Sequence, residues 1–164
     1  MTTKADFNAD EWSTVVEGPL LAAMRVVRAD RGGTIRESLA IGKVYAEARQ
    51  SQGKNELLDA LASSPPAIDP QRLQGAGDIA AASSDRLREA LGLLSEKASA
   101  EDTDAYKAFV LALAQAAAEA HKEGGFIGIG GKQVSDDEQT ALDEIKAVLD
   151  TQESPGEPSA DAGR

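Results

Sequence analysis

"SAEDTDAYKAFVLALAQAAAEAHK", residues 99–122, is the stretch on which the fold turns. An acidic opening leads into a run that contains neither glycine nor proline. Tyr106, Phe109, Val110, Leu113 and Ala117 recur at intervals of three and four, which places them on one face of a helix. The pattern predicts a helix over roughly 102–123. It is the longest uninterrupted one in the chain, so it is expected at the centre of the fold.

Toward the N-terminus the same signals repeat. In "FNADEW", residues 7–12, Asn8 can cap a helix and Glu11 stands three positions on to complete a capping box. Phe7 and Trp12 flank that cap as a hydrophobic staple. Gly18-Pro19 is expected to kink or restart this first helix, because a proline has no N–H to give to the preceding turn. Past the break, Leu20, Leu21, Ala23, Met24 and Val27 mark one face. The helix stops at Gly32-Gly33, and Thr34 with Glu37 forms a second capping box. The following helix is expected to turn Ile35, Leu39, Gly42 or Ile41, and Tyr45 inward. A short helix fits "KNELLDALA", and "SSPPA" breaks the chain after it. Asp69-Pro70 marks a further start, and Leu87, Leu91 and Leu94 recur at helical spacing. A third box, Ser135 with Glu138, opens the last helix, whose apolar residues are Leu142, Ile145, Val148 and Leu149.

With no strand-like alternation anywhere, the fold class is all-α, a single-domain irregular helical bundle of five to seven helices. Residues 1–6 are expected to be a disordered N-terminus, 7–150 the helical domain and 151–164 a disordered acidic tail.

Composition narrows the function. The net charge is −11, from 28 acidic and 17 basic residues. Such a chain repels phosphate backbones, so no nucleic-acid partner is expected. No segment approaches the roughly 20 apolar residues of a membrane-spanning helix, so the protein is not expected to be membrane-embedded. There is no cysteine, which removes disulfides and thiolate chemistry and fits a cytoplasmic location. His121 is the only histidine, and the spacing offers it no nucleophile and orienting acid. The expectation is therefore a protein that is not an enzyme and takes no cofactor.

Two glycine turns invite closer reading. In "EGGFIGIGGKQ", residues 123–133, five glycines and three large apolar residues fill the eight positions 124–131. The Walker spacing fails, since Gln133 follows Lys132 and the earlier glycine position holds Phe126. The loop reads either as a corner tucked beneath the helices or as an interaction loop built from Gly124, Gly125, Phe126, Ile127, Ile129 and Lys132. Carboxylates flank both turns. Asp30 and Glu37 stand at the first, and Asp136, Asp137 and Glu138 at the second. These five are candidate ligands for calcium or magnesium, whose sites are built from oxygens. The two turns, "RADRGGTI" and "HKEGGFI", also echo each other, as a duplication or as two ordinary helix ends.

The segment "FVLALAQAAAEAHKEGG…VSDDEQTALDEIKAVL" resembles the helix–turn–helix pair of the TerB-like (tellurite-resistance-associated) family. The matching residues are Ala116 to Ala118, Gly124, Gly125, Val134, Ser135 and Glu138. The first unit is similar in outline through Ala29, Asp30, Gly32, Ile35 and Glu37. The second turn is longer than the family's compact Asp-Gly turn, which displaces its acid. The resemblance implies an all-α bundle without catalytic activity, tied through partners to stress response or membrane-associated complexes. The leading expectation is thus a non-catalytic interaction or scaffold module with an unknown protein partner, a homo-oligomer among the options. The alternative is a divalent-cation binding regulatory module.

Overall fold

The computed structural model describes residues 1–29, 35–64, 79–122 and 134–151, without the side chains of 35–38, 79, 121 and 122. The described residues form six α-helices and no strand: α1 Ala9–Val27, α2 Ile35–Gln50, α3 Glu56–Ser63, α4 Ile79–Lys97, α5 Ala100–Lys122 and α6 Asp136–Asp150. A single 3-10 turn, Lys4–Asp6, precedes α1. The expected all-α bundle is what the chain forms.

As the periodicity predicts, α5 is central and touches all five other helices. Tyr106, Phe109, Val110, Leu113 and Ala117 are all buried. On one side α1 packs against α5 and α4, and on the other α2 and α3 cover α5. Leu87, Leu91 and Leu94 of α4, with Leu142, Ile145, Val148 and Leu149 of α6, complete one continuous core. Each fully buried leucine contributes about 1.5–3 kcal/mol of transfer free energy. Alanines at Ala22, Ala23, Ala90, Ala114, Ala117 and Ala118 fill the buried seams, which lets the helix axes approach closely.

The start of α1 follows its local code. The Asn8 side chain accepts from the Asp10 and Glu11 amides at 3.0 and 2.9 Å, and the Asn8 amide donates to the Glu11 carboxylate at 2.8 Å. Phe7 and Trp12 meet with ring centroids 5.9 Å apart. Lys97 at the end of α4 reaches Glu11 at 2.6 Å, fastening one helix end to another.

Three expectations are corrected. First, of the kink or restart expected at Pro19, the restart does not occur: α1 runs unbroken from Ala9 to Val27. A proline at 19 leaves the carbonyl of Val15, four residues earlier, without its helical donor. The Tyr106 hydroxyl of α5 donates to that carbonyl at 2.9 Å. Gly18 makes the approach feasible, because a Cβ there would collide with the Tyr106 hydroxyl. Proline, glycine and tyrosine therefore form one device, and the missing bond is replaced from a neighbouring helix.

Second, Leu39 does not face inward. Ile41 and Tyr45 are buried, with Tyr45 edge-on to Phe109 at 5.3 Å, whereas Leu39 is 68% exposed. At about 100° per residue, Leu39 lies about 200° around the helix from Ile41, so one stripe cannot hold both. Gly42 is exposed as well, and Ile35 lies outside the described side chains.

Third, residues 1–6 are not frayed. Thr2 is buried, its amide donates to the Asp102 carboxylate at 2.8 Å, and its hydroxyl accepts from the Ser99 amide at 3.2 Å.

Candidate functional site

The rotation of α2 that buries Ile41 and Tyr45 has a consequence on the outside. It leaves a groove between α2 and α5, about 680 Å³ in volume, with an apolar floor and wall of Leu39, Ala40, Val44, Ala116 and Ala120. The rim is charged, with Lys43 and Glu47 on α2 and Glu119 on α5. Alanines contribute Ala40 from α2 and Ala116 and Ala120 from α5, and the groove is open to solvent. Leu39 is one of two large apolar side chains exposed among the described residues, the other being Met1. Lys43 and Glu47 stand 3.8 Å apart one helical turn from each other. Glu119 has no ion-pair partner among the described residues. Among the described lining residues there is no nucleophile–base pair and no set of converging hydrogen-bond donors. What the groove offers is apolar side chains between charged edges.

A second cluster looks chemical and is structural. Asp102 is only 4% exposed and sits in the first turn of α5. Its carboxylate accepts from the Thr2 amide, the Ser99 hydroxyl and the Asn55 side-chain amide, each at 2.8 Å. Burial pushes the carboxyl's pKa up, but the hydrogen bonds from Thr2, Ser99 and Asn55 outweigh it and hold the group below its ordinary value. The charged form is thus clamped by three segments, namely the N-terminus, the entry to α3 and the entry to α5. Asn55 does double duty, since its side-chain oxygen also accepts from the Leu58 amide at 2.9 Å to cap α3. Sequence reading missed this hub. The Ser99-x-x-Asp102 spacing was its one local trace, a hydroxyl and an acid at capping distance.

The carboxylates suggested as cation ligands are distributed as follows. Asp136 and Asp137 occupy the first turn of α6 and are exposed. Glu138 is 2% exposed and accepts from the Ser135 amide at 2.9 Å, while the Ser135 hydroxyl accepts from the Glu138 amide at 3.2 Å. The capping box is therefore formed, and it occupies the Glu138 carboxylate. Among the described residues, no three acids or histidines gather closely enough to hold a metal ion. Asp30 and the Glu37 side chain lie outside the described residues, as does the whole candidate loop of Gly124, Gly125, Phe126, Ile127, Ile129 and Lys132. Thr34, the Asp69-Pro70 start and the tail from 152 onward lie outside them too.

No helix among the described residues is long and apolar enough to cross a membrane. No protein-family model, curated protein or solved structure matches the chain.

Proposed function

We propose that this chain is a non-catalytic interaction module that receives an apolar helix face of a protein partner in the groove between α2 and α5. The observation that carries the reading is Leu39. It stands 68% exposed at the lip of a groove lined by both apolar and charged side chains, while its neighbours Ile41 and Tyr45 are buried. A large aliphatic side chain held out in water on a regular helix is a ready anchor for a helix-in-groove contact. The acidity of the chain favours a protein partner over nucleic acid, and the lack of cysteine fits the cytoplasm. Kinship with TerB-like chains, and through it a role in stress-response complexes, is part of the proposal. It rests on the sequence matches at Ala116 to Ala118, Ser135 and Glu138.

The test is a selection of displayed amphipathic helical peptides on the full chain, followed by affinity measurement against a Leu39→Ser variant. Selected peptides are expected to lose at least tenfold in affinity for the variant, whose thermal midpoint stays unchanged. Failure to enrich any peptide, or equal binding to the variant, overturns the reading.

A further inference from the structure

The groove's chemistry also specifies the sign of its occupant. We infer that the occupant is an amphipathic helix whose apolar stripe is bordered by lysine or arginine, an inference that rests on the interaction reading above.

Three features of the charge distribution carry it. The rim holds two carboxylates against one ammonium. The single ammonium, Lys43, already lies beside Glu47 at 3.8 Å, so the pair offers an incoming chain little net charge. Glu119, on the opposite edge, is exposed, so its carboxylate is open to a charge supplied from outside. Behind these local charges stands a net charge of −11, which attracts basic segments and repels acidic ones at encounter.

The same field disfavours a second copy as occupant. Two such chains approach against the repulsion of eleven excess negative charges on each. A helix that puts one leucine or methionine beside Leu39 and seats small residues over Ala40 and Ala116 would bury the stripe. One turn away, its basic residue would face Glu119 across the rim.

The test uses two synthetic peptides with the same leucine and alanine stripe, one flanked by lysines and the other by glutamates. Binding to the full chain is measured by calorimetry at low and at physiological salt. The lysine peptide is expected to bind at least tenfold more tightly than the glutamate peptide and to weaken as salt rises. Glu119→Lys is expected to erase most of that preference. A charge reversal at Asp85, exposed on α4, leaves the preference intact. If both peptides bind equally and both are lost with Leu39→Ser, the charge inference fails and the interaction reading stands. If neither peptide binds, or Leu39→Ser changes nothing, both fail. An equal effect of the Asp85 reversal would show general attraction to an acidic protein, which also overturns the inference.

Discussion

Tyr106→Phe removes a single oxygen atom and tests how α1 survives its own proline. Val15 is fully buried, and its carbonyl accepts from the Tyr106 hydroxyl at 2.9 Å. Pro19 offers no amide in its place. Without the hydroxyl, a buried acceptor is stranded, which costs about 1–3 kcal/mol. A midpoint of about 2 kcal/mol corresponds to a fall of about 4–8 °C in Tm for a domain of this size. Urea unfolding followed by circular dichroism at 222 nm measures the change, with an unaltered slope showing that the unfolded state is unaffected. The decisive step is to repeat the substitution in a Pro19→Ala background. There residue 19 regains an amide and can satisfy Val15 within the helix, so losing the tyrosine hydroxyl is expected to cost less than about 1 kcal/mol. The cycle should therefore show a coupling of about 1–2 kcal/mol between Tyr106 and Pro19. Equal costs in both backgrounds, or a loss below about 0.5 kcal/mol in the native background, would refute the account of the capped carbonyl.

Other perturbations probe the same frame. Gly18→Ala should destabilise by about 1–3 kcal/mol through its clash with the Tyr106 hydroxyl, and Tyr106→Phe should relieve part of that loss when the two are combined. Leu39→Ala should leave stability within about 0.5 kcal/mol, whereas Ile41→Ala should cost about 2–3 kcal/mol. The reverse order in urea unfolding would mean that α2 is rotated otherwise. Asp102→Ala strands the Thr2, Ser99 and Asn55 donors and should cost about 3 kcal/mol. Because the folded Asp102 carboxyl titrates below its unfolded value, its contribution is present above about pH 4 and is lost as pH falls through the folded value. The acid limb of a stability profile should accordingly flatten in Asp102→Asn. At the alkaline end, burial raises the Tyr45 phenol to about 12. Its contribution is complete below about pH 10 and declines as pH rises from there through the folded value, by up to about 1.4 kcal/mol per unit. Tyr45→Phe should remove its share of the alkaline slope and leave that of Tyr106, whose phenol burial also raises.

Features set by neighbours in sequence were the legible ones. Asn8, Glu11, Phe7 and Trp12 lie within six positions, so their cap and staple could be read directly, and the same holds for Ser135 with Glu138. The buried face of α5 was legible because its residues are large and its helix is long. Features set by distant partners were not. The fate of Pro19 depended on a tyrosine 91 positions away, and the order at Thr2 on an acid 100 positions away. The phase of α2 was hard to read because glycine and alanine interrupt its stripe: Leu39 was expected inside together with Gly42 or Ile41, and the packing of Tyr45 against Phe109 turns Ile41 in and Leu39 out. The groove follows from that phase and so could not be seen earlier. The glycine loop and Asp30 were readable as motifs, but they lie outside the described residues.

The tyrosine-capped proline also imposes an order in time. On a ribosome α1 emerges well before its partner, and Val15 waits 91 residues for the hydroxyl that completes it. At typical synthesis rates of 5–20 residues per second, that delay is roughly 5–18 s. During it the middle of α1 lacks one of its bonds, and its apolar side has no complete α5 to rest on, while α4 follows only late in the interval. The first helix made is therefore among the last secured. The carbonyl of Val15 is thus matched only once residue 106 has been made, which ties one bond of the early part of the chain to a late one.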